Sequence, residues 1–252
     1  WNGPFEPFER ASLVVVRSTW DYWDAPGEFR AWLEKLKSLP HVANDPALML
    51  WNLDKRYLLD LAARGAPLPP TRLVAPDPDA IAQAMDALEL DEAVAKPTVS
   101  AGAFGLNRVR REDRAGLAAA ARDLGGPGLV QPLIREIVTA GETSLVYFGG
   151  VFSHAVVKHP KSGDIRIQEQ HGGATRPAVA PEWAVAEGRR ILSMLPANAL
   201  YARVDVVLRD APGLDPALWL MEVEVLEPSL YLSHAPPGSA EAFAAALLRN
   251  ME

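Results

Sequence analysis

The segment ALWLMEVEVLEPSLYL, residues 217–232, carries acidic residues inside an apolar run. Because side chains alternate along a strand, the pattern predicts an apolar face that includes Met221 and a second face with Leu220, Glu222 and Glu224. Like-charged carboxylates two residues apart repel each other, and burying their charge is costly. The acids therefore belong either to an edge strand with a solvated acidic face or to a cation site.

A second apolar strand carries a similar acid. The segment YARVDVVLR, residues 201–209, places Asp205 among valines. Asp205, Glu222 and Glu224 together offer three oxygen donors, the ligand type that Mg²⁺ prefers. Since isolated acids in long apolar strands usually have a functional reason, we favour a magnesium site over the solvated face, with Mn²⁺ as an alternative cation.

A loop of small residues follows another short strand. In KPTVSAGAFG, residues 96–105, Lys96 ends an apolar approach and Gly105 closes a flexible stretch. Backbone amides of such a loop and the lysine are suited to enclose an anion. The alternative is a hairpin with a glycine-rich tip, and the stretch alone favours it because glycine-rich loops are weak signals. No Gly-Lys-Ser/Thr opens a following helix, so this is not a Walker A loop.

One lysine stands at an unfavourable place for a helix. The segment NLDKRYLLDLAARG, residues 52–65, predicts a helix with Asn52 as its N-cap and Gly65 just past its end. Lys55 then opposes the positive end of the helix dipole. It either accompanies an anion bound at that end or is a solvated lysine, and taken alone the solvated lysine is the simpler interpretation.

Basic residues recur in HAVVKHPKSGDIRIQEQHGGATR, residues 154–176. Lys158 ends a strand, and Arg166 and Gln168 share one face of the next predicted strand. Lysine and arginine converging near glycines suit a polyphosphate. A basic hairpin surface explains the same residues, and the sequence does not decide between the two.

Composition excludes several classes of function. The 252 residues carry a formal net charge of -7 and no cysteine. The charge argues against nucleic acid and anionic membranes as partners, and the missing cysteine excludes disulfides, thiolate catalysis and thiolate metal sites. We see neither a signal peptide nor an apolar run of membrane-spanning length. We expect a cytoplasmic protein with a small-molecule substrate, and the sequence leaves a homo-oligomer open.

Alternating helices and strands predict an α/β or α+β protein. The predicted helices are 26–39, 52–65, 79–89, 113–124, 181–195 and 239–250. The predicted strands are 12–18, 92–97, 106–110, 128–133, 142–149, 151–158, 164–169, 201–208 and 217–226. Five prolines in residues 66–78 mark a domain boundary.

Taken in order, these segments resemble the ATP-grasp superfamily. Within it the chain is similar to prokaryotic glutathione synthetase and, more closely, to the ligases that cyclise O-ureido-D-serine to D-cycloserine; RSTWDYW, residues 17–23, supports the closer group. The resemblance implies a nucleotide site between two α+β subdomains. It implies a truncated α/β substrate-side domain over 1–68 and an ATP-grasp domain over 69–252, divided into a lid subdomain at about 71–130 and a C-terminal subdomain at about 131–252.

The resemblance also implies roles for individual residues. Contacts to the phosphates of ATP would come from Lys55, Lys96 and the loop residues Ser100, Ala101 and Gly102. The adenine would meet the hinge residues Gln131, Pro132, Leu133 and Ile134, and the ribose would meet Glu142. The catalytic cations at the transferring phosphoryl group would be Lys158, Arg166 and Arg203. Magnesium would be held by Asp205, Glu222 and Glu224.

The RSTWDYW segment is the predicted substrate site, because loops after strands in α/β sheets commonly bind ligands. Its polar side chains suit an amino-acid-like molecule, with Arg17 as partner of a carboxylate; they are Arg17, Ser18, Thr19, Asp21 and Tyr22. The alternative is a loop whose aromatic residues pack against the following helix.

The leading functional hypothesis is an ATP- and magnesium-dependent ligase that passes through an acyl phosphate. No side-chain nucleophile is needed for that chemistry, in agreement with the missing cysteine. A small-molecule kinase using the same site, or a non-catalytic nucleotide-binding scaffold, are the alternatives.

Overall fold

In a computed structural model of the protein, residues 1–167, 171–209 and 217–249 are described. The helices are α1 (Glu6–Glu9), α2 (Pro26–Leu36), α3 (Pro46–Asn52), α4 (Tyr57–Ala63), α5 (Pro78–Ala87), α6 (Arg114–Leu124), α7 (Glu136–Thr139), α8 (Glu182–Leu192) and α9 (Ser239–Leu248). The strands are β1 (Val14–Val15), β2 (Val42–Ala43), β3 (Arg72–Val74), β4 (Glu92–Pro97), β5 (Asn107–Arg110), β6 (Gly128–Pro132), β7 (Glu142–Phe148), β8 (Val151–His159), β9 (Ala174–Ala178), β10 (Tyr201–Leu208) and β11 (Leu218–Glu224). None of the helices within the described ranges has the length and apolarity needed to cross a membrane.

Two antiparallel sheets form the framework. One has four strands in the order β3-β6-β4-β5, and the other has five in the order β11-β10-β7-β8-β9. The short strands β1 and β2 pair in parallel near the N-terminal end of the chain. The four-stranded sheet lies within the stretch predicted for the lid subdomain, and the division into domains stays a prediction.

The four-stranded sheet has one core face and one open face. Along β4, Ala93 and Ala95 are fully buried against helices α5 and α6, through residues such as Ile81 and Leu117. Lys96, on the opposite face, lines a cavity. Successive side chains of a strand point to opposite faces, so the buried alanines and Lys96 lie on different sides of the sheet.

The five-stranded sheet divides its faces in the same way. Its apolar side packs on α4 and α8, with Leu58, Leu61 and Ile191 fully buried beside Val204 and Val223. Its other side faces the cavity and carries the charged residues of β7, β8, β10 and β11. The cavity therefore lies between the two sheets.

A β-bulge changes the predicted faces of β11. The pairing shifts register between Asp205 and Val206, so that Asp205 pairs with Glu222 but Val206 pairs with Leu220. Met221 is left over as the extra residue and lines the cavity, while Leu220 is fully buried in the core. The prediction that Leu220 shares a face with the acids was therefore wrong, because an extra residue in one strand reverses the alternation beyond it.

Strand β11 is an edge strand whose outer backbone groups bond to side chains. The Asn52 amide nitrogen donates to the Val223 carbonyl at 2.7 Å, and its oxygen accepts from the Val225 amide at 2.9 Å. The Tyr57 hydroxyl donates to the same Val223 carbonyl at 2.8 Å and accepts from the Val223 amide at 2.9 Å. These bonds satisfy an edge that would otherwise stay unpaired and hold the strand that carries the two acids.

The predicted helix over 52–65 was wrong at its start. Asn52 is the last residue of α3, and α4 begins only at Tyr57, so Lys55 lies in the turn between them. Asn52 is not an N-cap, because its amide is used by the edge of the sheet. Gly65 follows the end of α4 with a φ of 91°, as the pattern predicts.

Other differences concern short elements. The predicted strand 12–18 contracts to the two residues of β1, and residues 164–167 form no strand. Residues 168–170, with Gln168, lie outside the described residues. Strands β3 and β9 and helix α3 were not predicted, because proline and short length weaken the local signal.

Candidate active site

The cavity between the sheets has a volume of about 460 Å³. Strands β4 and β6 line one side of it, and β7, β8, β10 and β11 line the other. The N-terminal segment closes a third side with Trp20, Tyr22, Trp23, Asn52 and Lys55. All the residues predicted for ATP, metal and catalysis line this one cavity.

The three predicted metal ligands meet at its floor. Asp205, Glu222 and Glu224 each offer a carboxylate oxygen, and these oxygens lie within 4.8 Å of one another. Their side chains are 2%, 27% and 24% exposed, respectively, so they do not form a solvated acidic face. Clustered hard oxygen donors fit a divalent cation such as Mg²⁺.

Cationic side chains surround the acids. Lys158 donates to Glu142 at 2.7 Å and lies 3.3 Å from Asp205. The Arg203 guanidinium bonds to both oxygens of Asp205 and also to Glu224. Glu142, predicted at the ribose, is thus part of a buried ion pair in this structure.

Lys55 reaches the same floor from the turn between α3 and α4. Its ammonium nitrogen lies 3.0 Å from Glu222 and donates to the Ser100 carbonyl at 2.6 Å. Burial alone would lower the pKa of Lys55, but the charge of Glu222 and its hydrogen bond raise it above the usual value. This lysine therefore remains charged and links the acidic floor to the loop.

Lys96 differs from the other cations. Within the described parts of the chain its ammonium group has neither a hydrogen bond nor a carboxylate within 4 Å. Burial lowers its pKa, and the neighbouring charge of Lys55 lowers it further against the opposing effect of Glu222. A half-buried cation of this kind is suited to bind an anion.

The pKa values of two acids in the cluster are shifted in opposite directions. Burial opposes the charge of Asp205, but Arg203 and Lys158 outweigh it and hold the pKa of that carboxyl well below its usual range. Burial, opposed by Arg203 and reinforced by the charges of Glu222 and Asp205, raises the pKa of Glu224 to about 8. Perturbed carboxyls in a cavity are typical of functional sites.

The loop after β4 lies over the cavity. Ser100, Ala101, Gly102 and Ala103 line it, and Gly102 and Ala103 have φ angles of 60° and 63°. Gly105 ends the loop with φ 70°, where a Cβ would lie 2.6 Å from the Pro97 side chain. Glycine is needed there for both conformation and space.

The predicted adenine hinge comprises the last two residues of β6 and the two residues after it. Gln131, Pro132, Leu133 and Ile134 all line the cavity, and the Gln131 side chain is tied back to Thr71 at 2.8 Å.

Arg166 also lines the cavity, but its guanidinium is held by Asp164 at 2.8 Å. A role for Arg166 at a phosphoryl group would require it to leave this partner. That role stays a prediction.

Three side chains of the RSTWDYW segment donate hydrogen bonds to backbone carbonyls of residues in the site. Arg17 donates to Pro228 at 2.9 Å, Trp20 donates to Glu227 at 3.0 Å, and Tyr22 donates to Ser100 at 3.2 Å. The segment therefore positions the turn after β11 and the base of the loop.

The predicted substrate residues separate in space. Tyr22 lines the main cavity, and Arg17 lines an adjoining cavity of about 310 Å³ that shares Ser229 and Tyr231 with it. Ser18, Thr19 and Asp21 line neither of these two cavities, and Asp21 accepts a hydrogen bond from Trp1. Their contact with substrate stays a prediction.

Two residues of the site had no assigned role in the sequence. Glu227 is 6% exposed and lines the main cavity. Ser144 donates to Asp205 at 2.5 Å and orients it. A third acid at the end of the apolar run was the signal for Glu227, whereas nothing local distinguishes Ser144.

Comparison with known proteins identifies the family. The sequence of residues 1–44 matches the protein family described as the D-cycloserine synthetase DcsG N-terminal domain. The cycloserine biosynthesis protein DcsG of Streptomyces lavendulae is 32% identical over an alignment that covers 100% of this chain and 87% of that protein. The chain belongs to the DcsG family. The crystal structure of D-cycloserine synthetase DcsG matches with a TM-score of 0.83 and 31% identity, over 97% of this chain and 86% of that one.

The DcsG family has the ATP-grasp fold. The ATP-grasp ligase PsnB complexed with minimal precursor, Mg, and ADP matches with a TM-score of 0.63 at 15% identity, over 96% of this chain and 79% of that one. That distant likeness concerns the fold alone. The predicted family, fold class and enzyme class, an ATP-grasp ligase of the ADP-producing, carbon–nitrogen bond-forming kind, are confirmed.

Proposed function

We propose that this protein is an ATP- and Mg²⁺-dependent ligase that activates a small amino-acid-like carboxylate as an acyl phosphate. An amine-type nucleophile, in the same molecule or in a second one, then captures the activated carbonyl. The proposal rests on one observation above all: three carboxylate oxygens within 4.8 Å of one another share a cavity with Lys55, Lys96, Lys158 and Arg203. Acids suited to a divalent cation beside bases suited to a polyphosphate fit phosphoryl transfer.

Separate groups of residues in the cavity would bind the metal ion, the phosphates and the adenine. Asp205, Glu222 and Glu224 would hold Mg²⁺, which when bound neutralises charge on the phosphates. Lys96 and the loop over residues 100–105 would hold the outer phosphates, and the hinge at Gln131–Ile134 would contact the adenine. These assignments follow from the resemblance and agree with the lining of the cavity.

The reaction has two steps. A substrate carboxylate oxygen attacks the γ-phosphorus and the bond to ADP breaks, which gives an acyl phosphate. The nucleophilic nitrogen then attacks the acyl carbon, loses a proton, and inorganic phosphate leaves. Lys158 and Arg203, both buried, would stabilise charge on the transferring group, and the loop would exclude water from the intermediate.

The relatives indicate which substrates to test first. A cycloserine biosynthesis protein at 32% identity supports a cyclising ligase that takes an amino acid. O-ureido-D-serine is therefore the first compound to test, followed by other amino acids and small carboxylates with and without amine acceptors.

The test measures ADP, phosphate and the organic product together. We expect equal amounts of ADP, phosphate and a product with a new carbon–nitrogen bond, detected by mass spectrometry. Removal of divalent metal with EDTA should abolish turnover, and both Mg²⁺ and Mn²⁺ should restore it. A phosphorylated substrate without a new bond would instead indicate a kinase, and nucleotide binding without turnover would indicate a scaffold.

Glu224→Gln is the matched inactive variant. Since burial raises the pKa of Glu224 and so disfavours its charged form in the metal-free protein, the neutral amide should preserve the fold while it removes a metal ligand. We expect turnover to fall more than about 100-fold with an unchanged melting temperature in metal-free buffer. Glu241→Gln, on the exposed face of α9, is the control. Normal magnesium-dependent turnover in Glu224→Gln would contradict the metal assignment.

A further inference from the structure

Glu227 is a buried acid of the cavity that the proposed reaction does not use. Glu227 is 6% exposed and lies in the turn that follows β11. It is not a member of the group formed by Asp205, Glu222 and Glu224. Among the described residues no lysine, arginine or histidine nitrogen lies within 4 Å of its carboxylate.

The backbone around Glu227 is fixed from the N-terminal segment. The Trp20 indole donates to the Glu227 carbonyl at 3.0 Å, and Arg17 donates to the next carbonyl, that of Pro228, at 2.9 Å. The Arg17 guanidinium in turn lies 5.7 Å and 5.5 Å from the ring centres of Tyr201 and Phe243. Two bonds across more than 200 residues of sequence hold the acid in the cavity wall.

The nearby cations are engaged elsewhere. Lys55 is paired with Glu222, and Arg203 is paired with Asp205 and Glu224. Burial raises the pKa of Glu227 to about 7, with Lys55 opposing the shift and Glu222 adding to it. A buried acid without a matching charge is costly, which suggests that its partner arrives with the ligand.

The surroundings of Glu227 suit an organic cation better than a metal ion. The Tyr22 hydroxyl, which donates to the Ser100 carbonyl at 3.2 Å, and the Trp20 and Trp23 rings line the same cavity as Glu227. One carboxylate beside aromatic rings is typical of ammonium recognition. A divalent metal prefers several hard oxygen donors, and the three-carboxylate group supplies those.

We infer that Glu227 binds the ammonium group of an amino-acid substrate and selects such acids over carboxylates without an amine. The inference rests on the proposed ligase function and names the residue of the same site that recognises the amine of the substrate. With the ammonium at Glu227, the substrate lies between the metal-binding floor and the turn that Arg17 and Trp20 fix.

The experiment compares D-serine and D-alanine with partners that carry a hydroxyl in place of the amine, and it includes O-ureido-D-serine without such a partner. The probes are O-ureido-D-serine, D-serine with D-glycerate, and D-alanine with D-lactate, with ATP and Mg²⁺ present. The readouts are kcat/KM for ADP release and the shift in melting temperature that each probe causes. We expect the wild type to favour amino acids by roughly 10- to 100-fold, and Glu227→Gln to raise their KM by a similar factor while the hydroxy acids lose nothing further.

Two variants separate recognition from structure. Glu227→Asp keeps the charge and should regain part of the preference, and Glu241→Gln on α9 should match the wild type. Glu227→Gln should melt at the same or a higher temperature without ligands, because it removes an unmatched buried acid. Its Kd for ATP, measured by calorimetry, should not change.

Each contrary result has one meaning. If no carboxylate probe releases ADP from the wild type, the proposed function fails. If the wild type turns over but Glu227→Gln keeps the preference for amines, the inference fails. A parallel loss of Mg²⁺ or ATP affinity would assign Glu227 to the metal site, a lower melting temperature with equal losses on all probes would make it structural, and no thermal shift by any amino acid would exclude ammonium binding.

Discussion

Lys96 combines a fixed position with an unmatched charge. It stands on the cavity face of β4, whose other face is core, and it has no carboxylate within 4 Å among the described residues. A charge-assisted contact is worth about 1.5–3 kcal/mol. We therefore expect Lys96→Ala to weaken ATP binding roughly 10- to 150-fold, measured by calorimetry.

The control for this prediction is Arg108→Ala. Arg108 is an exposed cation on the adjacent strand β5 and pairs with Glu92 at 2.7 Å, away from the cavity. The Arg108→Ala variant should have the same ATP affinity as the wild type. Equal affinity in both variants would remove Lys96 from the nucleotide site.

At the scale of elements, the loop over residues 100–105 connects two sides of the site. Phe104 at its tip stacks on Trp23, with ring centres 3.8 Å apart and 17° between the planes. At its base, the Ser100 carbonyl accepts from both Lys55 and Tyr22. The aromatic stack thus joins this loop to the RSTWDYW segment.

Phe104→Ala should loosen this closure without removing any polar group of the site. An acyl phosphate is destroyed by water, so a loose lid separates ATP consumption from product formation. We expect the product formed per ADP released to fall by about half or more, measured in one reaction by chromatography. Val138→Ala, another exposed apolar side chain, is the control; an unchanged ratio in Phe104→Ala would show that the stack does not seal the site.

At the scale of the whole molecule, the buried acids make stability depend on pH. The pKa values of Glu224 and Glu227 are raised from 4.5 to about 8 and about 7, mainly by burial. Between the ordinary pKa of 4.5 and these raised values, the folded protein therefore binds more protons than the unfolded chain. The stabilisation is complete below the unfolded pKa and is lost as pH rises through 7 and 8.

We therefore expect the melting temperature of the metal-free, nucleotide-free protein to fall between pH 5 and 8.5. The double variant Glu224→Gln with Glu227→Gln should show a flatter profile by scanning calorimetry, since neither amide titrates. Asp205 has a lowered pKa and acts only in more acidic solution. The same slope in the wild type and the double variant would refute this account.

Local patterns in the sequence specified much of the framework. The short apolar run that ends at Lys96 predicted β4, and the valine-rich run around Asp205 predicted β10, because such runs are a local property of the sequence. The three acids predicted to bind metal and the small-residue loop were visible for the same reason. Their chemistry is rare enough in apolar strands and loops to be noticed in one sequence.

The tertiary structure decided what depends on distant partners. The bulge at Met221 requires the register with β10, and the use of Asn52 and Tyr57 at the edge of β11 requires a contact across more than 160 residues. The sequence showed that Glu227 is acidic, but only the fold buries it away from the cations that pair with the other acids. Periodicity encodes which face a side chain takes within its own element, whereas the partners of a buried charge are set by segments that meet only when the chain has folded.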